Sequence, residues 1–149
     1  MWTKLRPGAR RFLAAAAEKF ELWIHTAGSR SYALAMAELL GAHYFGNRII
    51  AQQDGAEEVQ VLNKRLASGL EGREPVAVIL DDSSAVWPHD RRNLLVAERY
   101  VWFPTARVKG RGSLLEMGRD ECARGGMLCI AMGILDRLHS EVGNTADGT

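Results

Sequence analysis

Apolar positions along this 149-residue chain recur at two spacings. Helical spacing appears four times. Phe12, Leu13 and Ala16 give a face to a helix over residues 9–19. Tyr32, Ala33, Met36, Ala37 and Leu40 do the same for 30–40. Val59, Leu62, Leu66 and Leu70 predict a short helix that also carries Lys64 and Arg65. Met127, Ile130, Ala131, Ile134, Leu135 and Leu138 mark a closing core helix over about 121–142. Between them lie short apolar runs of strand length: 20–25, Ile49-Ile50, 76–80, 94–96 and 100–103. The run Val76-Ala77-Val78-Ile79-Leu80 follows Pro75 and is uninterrupted, the pattern of a strand buried on both faces.

Turn residues punctuate the runs. Arg6-Pro7-Gly8 opens the chain as a turn, and Pro7 stands near the start of the first helix. Thr26-Ala27-Gly28-Ser29 is a tight strand-to-helix junction in which Ser29 caps the next helix, and Gly41 ends that helix. Residues 83–92, around Trp87-Pro88, predict a loop or a single helical turn, and the polar stretch 143–149 a disordered tail. Strands alternating with helices give an α/β fold with a largely parallel central sheet flanked by helices. Such a sheet normally begins with a strand, whereas this chain begins with a turn and a helix, so its first strand is expected to be missing.

Composition narrows this little. With 47% hydrophobic and 25% charged residues, the chain is an ordinary globular one, sized for one domain. A net charge of +1 gives no sign of direct nucleic-acid binding, and Arg10-Arg11 and Arg91-Arg92 are isolated pairs suited to solvated faces. No apolar run approaches a membrane span, and none marks a secretory signal. Cys122 and Cys129 alone make neither a disulfide framework nor a zinc site, and their sevenfold spacing puts them on one helix face.

The chemistry concentrates at Asp81-Asp82, where the apolar run stops. In open α/β sheets ligands bind outside the carboxyl ends of strands. Two adjacent carboxylates repel unless a cation or a set of donors relieves them. They suit a hard cation such as Mg²⁺. Asp-Asp-Ser-Ser is equally turn chemistry, so the residues alone leave both readings open.

Several segments in a fixed order carry a resemblance. They are Thr3-Lys4-Leu5-Arg6-Pro7-Gly8, His25-Thr26-Ala27-Gly28-Ser29-Arg30-Ser31-Tyr32-Ala33, Phe45-Gly46-Asn47-Arg48-Ile49, Lys64, and Asp81-Asp82 with Val86-Trp87. Together they resemble the catalytic domain of the RNA polymerase II C-terminal-domain phosphatases, within the haloacid dehalogenase superfamily. Asp120-Glu121, Gly126, Leu128, Leu135 and His139 resemble the end of that domain. The resemblance implies a haloacid-dehalogenase-like fold over residues 1–142. It also implies Mg²⁺-assisted hydrolysis of phosphoserine in the phosphorylated polymerase tail through an aspartyl-phosphate, in the nucleus. A carboxylate nucleophile attacking an anionic phosphate needs donors and positive charge around the phosphoryl oxygens. By resemblance, Thr26 and Lys64 bind the phosphate, Asp82 is the Mg²⁺ ligand, and Asp81 orients Lys64 or a metal-bound water. Arg6, Arg30 and Trp87 are candidates for support on the substrate side. Surface ion pairing is the ordinary role of the two arginines, and core packing that of Trp87.

The chain departs from the family pattern in three places. The Asp-x-Asp motif that supplies the nucleophile lies, in relatives, before the segment matching Thr3 to Gly8. Here no Asp precedes Asp54, so no residue fills that role. The expectation is an N-terminally truncated chain without turnover of its own. Leu40-Gly41-Ala42 stands where relatives carry Asp followed by Pro. The 149 residues are expected to hold no counterpart of the phosphoprotein-binding domain of larger relatives. Two further functions compete with the phosphatase: a non-catalytic phosphopeptide-binding or regulatory remnant, and a small-molecule phosphatase of the same superfamily.

Overall fold

In the computed structural model, residues 2–52, 64–104 and 112–146 are described. They fall into two compact units, one made of 1–12 with 98–149 and one of 13–97. The elements that build the candidate site all belong to the second unit.

Helix α1 (Ala9–Ala17) starts after the Pro7-Gly8 turn and buries Ala16. Strand β1 (Ile24–Ser29) leads without a loop into α2 (Arg30–Leu40), whose bounds match the sequence pattern. Ser29 has left the helical conformation, and its hydroxyl accepts a hydrogen bond from the Tyr32 N–H, satisfying one of the free donors of the first turn. β1 was expected to end at His25. It runs on to Ser29 because Ser29 still pairs with Gln52 of β2 (Ile49–Gln52) beyond a register shift.

Gly41 ends α2 in the left-handed region at φ +119, where its N–H bonds the Ala37 carbonyl. A Cβ there would sit 3.0 Å from the Tyr44 ring, so glycine serves both the backbone and the packing. Gly41→Ala should therefore cost more than about 1 kcal/mol, read as a lower midpoint in urea with an unchanged slope; an unchanged midpoint would refute the cap.

α2 lies against β1 and β2, and Ala33, Ala37, Phe45 and Ile49 form a core closed by Leu13, Leu22, Ile24 and Leu40. Small residues on the helix let it approach the strands closely. Tyr32, expected on the buried face, is 38% exposed.

The second half of this unit holds α3 (Ala67–Leu70), β3 (Ile79–Asp81) and β4 (Leu94–Val96), with 3-10 turns at Glu74–Val76, Ser84–Val86 and Arg91–Asn93. Most of the helix expected from Val59 lies outside the described residues. Lys64 and Arg65 precede α3 rather than riding on it. β3 is three residues long, not five, because Pro75 draws Val76 into the 3-10 turn. It is also not buried on both faces: Ile79 is buried, whereas Val78 and Leu80 are exposed. Among the described residues β3 pairs only with β4, and the face that carries Val78 and Leu80 is left uncovered. Ile79 packs with Leu66 and Trp87 into a second core.

Both strand pairs, β1–β2 and β3–β4, are parallel, as the alternating pattern demanded. The short strand expected at 100–103 is not one, although Val101 and Trp102 accept hydrogen bonds from Leu114 and Leu115.

In the first unit, α4 (Met127–Ala146) begins later than expected, after Gly126, where a Cβ would lie 2.6 Å from the Cys122 carbonyl oxygen. It also extends through Gly143 to Ala146, into the stretch expected to be a disordered tail. Its buried face is set by Ala131 and Leu135, while Ile130 and Leu138 are exposed. Cys122 precedes the helix and Cys129 lies in it, so they do not share a helix face; both are free thiols. No helix among the described residues is long and apolar enough to cross a membrane.

Candidate functional site

β3 carries Asp81 to its C-terminal end, and the 3-10 turn that follows brings Trp87 back to it. One carboxylate oxygen, Oδ2, accepts from Lys64 Nζ at 2.6 Å and from Trp87 Nε1 at 3.0 Å. The other, Oδ1, accepts from the Ser83 N–H at 2.9 Å. Burial pushes the Asp81 carboxyl up, but these three donors and the Lys64 charge outweigh it and hold the group below its ordinary value. Lys64 is fixed from both ends. Its backbone N–H donates to the Val86 carbonyl at 2.7 Å, and its ammonium lies 5.4 Å from the centre of the Trp87 ring. With only 13% of each side chain exposed, the Lys64–Asp81 pair is partly desolvated and less screened than a surface pair.

His25 of β1 completes the cluster, its ring edge-on to Trp87 at 5.1 Å and 82°. Burial, and then the Lys64 charge, lower the imidazole pKa, while Asp81 opposes this weakly, so His25 is held towards its neutral form. Nothing in the sequence singled out His25 beyond its place before Thr26. The indole-to-carboxylate bond was equally invisible, because Trp87 alone signals only core packing. Trp87 is indeed 3% exposed and in the core, yet its one polar atom is spent on Asp81.

The other sequence candidates scatter. Thr26 neighbours the cluster through His25, and its hydroxyl oxygen accepts from the Gly28 N–H at 3.0 Å, leaving the O–H proton unused by that bond. Asp82 is exposed beside Asp81. Arg30 donates to the Ile49 carbonyl at 2.6 Å and so ties α2 to β2. Arg6 belongs to the other unit. It makes a forked pair with Glu121, donates to the Glu98 carbonyl, and lies 5.4 Å from the Tyr100 ring centre. A guanidinium so committed is a structural brace there.

Among the described residues no group of three or more carboxylate, His or Cys side chains is arranged to hold a metal. Asp81 has both oxygens engaged by protein donors. Asp82 follows it at the strand end and is the carboxylate that the motif resemblance offers to Mg²⁺. That ion commonly takes one or two carboxylates and completes its shell with phosphate oxygens and water, so the donor set fits it only with a phosphate present.

A family model described as NLI interacting factor-like phosphatase matches residues 1–112. The chain belongs to that family. Within it, the chain is 37% identical over 148 residues to RNA polymerase II C-terminal domain phosphatase-like 3 of Arabidopsis thaliana, covering 93% of this chain and 12% of the relative. It is also 37% identical to phosphatase-like 4 of the same plant, covering 94% and 32%. Among solved structures, Fcp1, described as an essential RNA polymerase II CTD phosphatase, matches with a TM-score of 0.69 at 22% identity, over 92% of this chain and 46% of that one. This likeness gives the α/β, haloacid-dehalogenase-like fold expected from the motifs. The chain thus spans a third or less of the length of these two curated family members.

Proposed function

We propose that this chain supplies the phosphate-holding half of a protein phosphatase site, for phosphoserine in the C-terminal tail of RNA polymerase II, and acts in the nucleus. The observation that carries the reading is the Lys64–Asp81–Trp87 arrangement at the end of β3. The ammonium has three N–H donors, and Asp81 uses one of them. With its stem fixed at Val86 and its head over Trp87, Lys64 presents the remaining donors without having to lose much side-chain freedom on binding. Asp81 acts through Lys64 as its orienting partner. Thr26 adds a hydroxyl proton from within β1, where a second phosphate oxygen would accept it. His25, held towards neutrality, packs the site without adding charge. Mg²⁺ held at Asp82 would neutralise charge on the phosphoryl group.

With no Asp before Asp54, the nucleophile of the family's aspartyl-phosphate chemistry is absent from the chain. On this reading the 149-residue polypeptide binds a phosphopeptide without turnover of its own. The test is titration of the purified chain with a phosphoserine peptide and its unphosphorylated twin, with Mg²⁺ present. Preference for the phosphopeptide, lost about tenfold or more in Lys64→Met, is expected; equal affinities for the twins would sink the proposal. Mg²⁺-dependent release of phosphate by the chain would overturn the assignment of the chain as a binder.

A further inference from the structure

The Lys64–Asp81 pair is close to neutral as a unit, yet a phosphate group brings about two negative charges at pH 7. Positive charge beyond the pair comes next to Lys64 in the chain. Arg65 follows Lys64, and its Nη2 lies 3.2 Å from Nε2 of His89. Both residues are exposed. An arginine normally meets a carboxylate; here it meets an imidazole, which leaves four guanidinium N–H groups and, among the described residues, no negative partner.

The two segments that carry these side chains are locked together. The Lys64 N–H bonds the Val86 carbonyl at 2.7 Å, and the Leu66 N–H bonds Asp90 Oδ2 at 3.1 Å. Asp90 thus spends its carboxylate on the backbone between Arg65 and α3. Immediately after it, Arg91 and Arg92 open a 3-10 turn, both exposed and neither with an ionic partner among the described residues. The arginine pair that looked like a solvated face in the sequence therefore sits within three residues of His89. Arg65 on the segment that delivers Lys64 and His89, Arg91 and Arg92 on the segment bonded to it bring four basic residues together along the chain, and Asp90 between them accepts from the Leu66 N–H.

We propose that Arg65 and His89, backed by Arg91 and Arg92, form a second anion site beside Lys64 that takes the second phosphate of a doubly phosphorylated peptide; this rests on the reading of Lys64 as the first phosphate site. A guanidinium fork matches two phosphate oxygens at once, and the imidazole adds a donor when its ring nitrogen carries a proton. Two linked contacts on one peptide reinforce each other, because binding the first phosphate raises the local concentration of the second.

The experiment uses the 149-residue chain and one serine peptide in four forms: unphosphorylated, singly phosphorylated, doubly phosphorylated, and singly phosphorylated with two glutamates replacing the second phosphoserine. The doubly phosphorylated form should bind about tenfold tighter than the singly phosphorylated one, the size of one charge-assisted contact. In Arg65→Ala/His89→Ala that ratio should fall to about one; both side chains are exposed, so the variant should retain the circular dichroism of the parent. A ratio of one in the parent, or a ratio that survives the double substitution, overturns the second site. Equal gain from the glutamate form overturns its selectivity for phosphate. If Lys64→Met leaves single-phosphate affinity intact, the reading of Lys64 falls, and the second site with it.

Discussion

Trp87→Ala should lower the stability of the chain by about 3–5 kcal/mol, the range for truncating a buried Trp. Three roles meet in this side chain. Its ring fills the core between Leu66 and Ile79 at 3% exposure, so removal leaves a cavity that the three-residue β3 has little means to close. The ring also carries Lys64 on one face and meets the edge of His25, and its Nε1 donates to Asp81. Trp87→Phe separates packing from the hydrogen bond. It keeps most of the volume, loses the donor, and should cost about 1 kcal/mol beyond the small difference in ring size. Urea unfolding of the two variants checks this. An alanine variant within about 1 kcal/mol of the parent would refute the anchoring role, and a phenylalanine variant as unstable as alanine would refute the division into two terms.

What the sequence disclosed about the fold was set by local chemistry. Ser29 and Gly41 bracket α2 because a hydroxyl and a left-handed glycine each act within one turn, so both bounds were legible. The parallel pairing was legible because helices alternate with strands. What failed depended on neighbours. The run at 76–80 looked buried on both faces, yet how many of its residues join a sheet depends on partners that lie elsewhere in the chain. Pro75 took its first residue into a turn. The apolar face drawn for α4 included the buried Ala131 and Leu135 but was too wide, taking in the exposed Ile130 and Leu138 as well, because neighbouring positions are all apolar and only the tertiary partner selects among them.

The site divides in the same way. Asp81 at a strand end was readable from the abrupt change from apolar run to acid. Its bond to Lys64, seventeen residues away, followed from the resemblance and not from any local rule. His25 and the indole donor of Trp87 were not readable, since each residue type has a more common bland role. The same holds for Arg65 and His89, twenty-four residues apart, which no pattern of spacing joins. For Arg6 the motif suggested a substrate-side role, while its bonds to Glu121 and the Glu98 carbonyl, over a hundred and over ninety residues away, had no local signal.

Asp81→Asn should cost about 1–3 kcal/mol at pH 7, and the penalty should shrink in acid. Asparagine is nearly isosteric and keeps one acceptor oxygen for Lys64 and Trp87, so packing around Trp87 changes little, and the loss is that of the charge paired with Lys64 and of the acceptor for the Ser83 N–H. Breaking a fully buried pair from one side costs about 3–5 kcal/mol; partial exposure of both partners reduces that figure here. The sign with pH follows from the direction of the shift. The Asp81 carboxyl titrates below its ordinary value in the folded chain, so the folded state binds its proton less readily than the unfolded one. Its contribution is therefore complete above the ordinary carboxylate value of about 4 and is lost as pH falls from there through the lower, folded-state value. The gap in unfolding free energy between parent and Asp81→Asn should stay constant from pH 8 to about 5 and close below about 4. A gap that persists unchanged at pH 3, or one that already varies between pH 6 and 8, would show that something other than this carboxylate's charge is responsible. Lys64→Met offers the reciprocal measurement. It removes the ammonium but leaves Asp81 the donors of Trp87 and Ser83, so it should destabilise less than Asp81→Asn, which leaves Lys64 a half-buried cation facing only a neutral amide and the ring of Trp87.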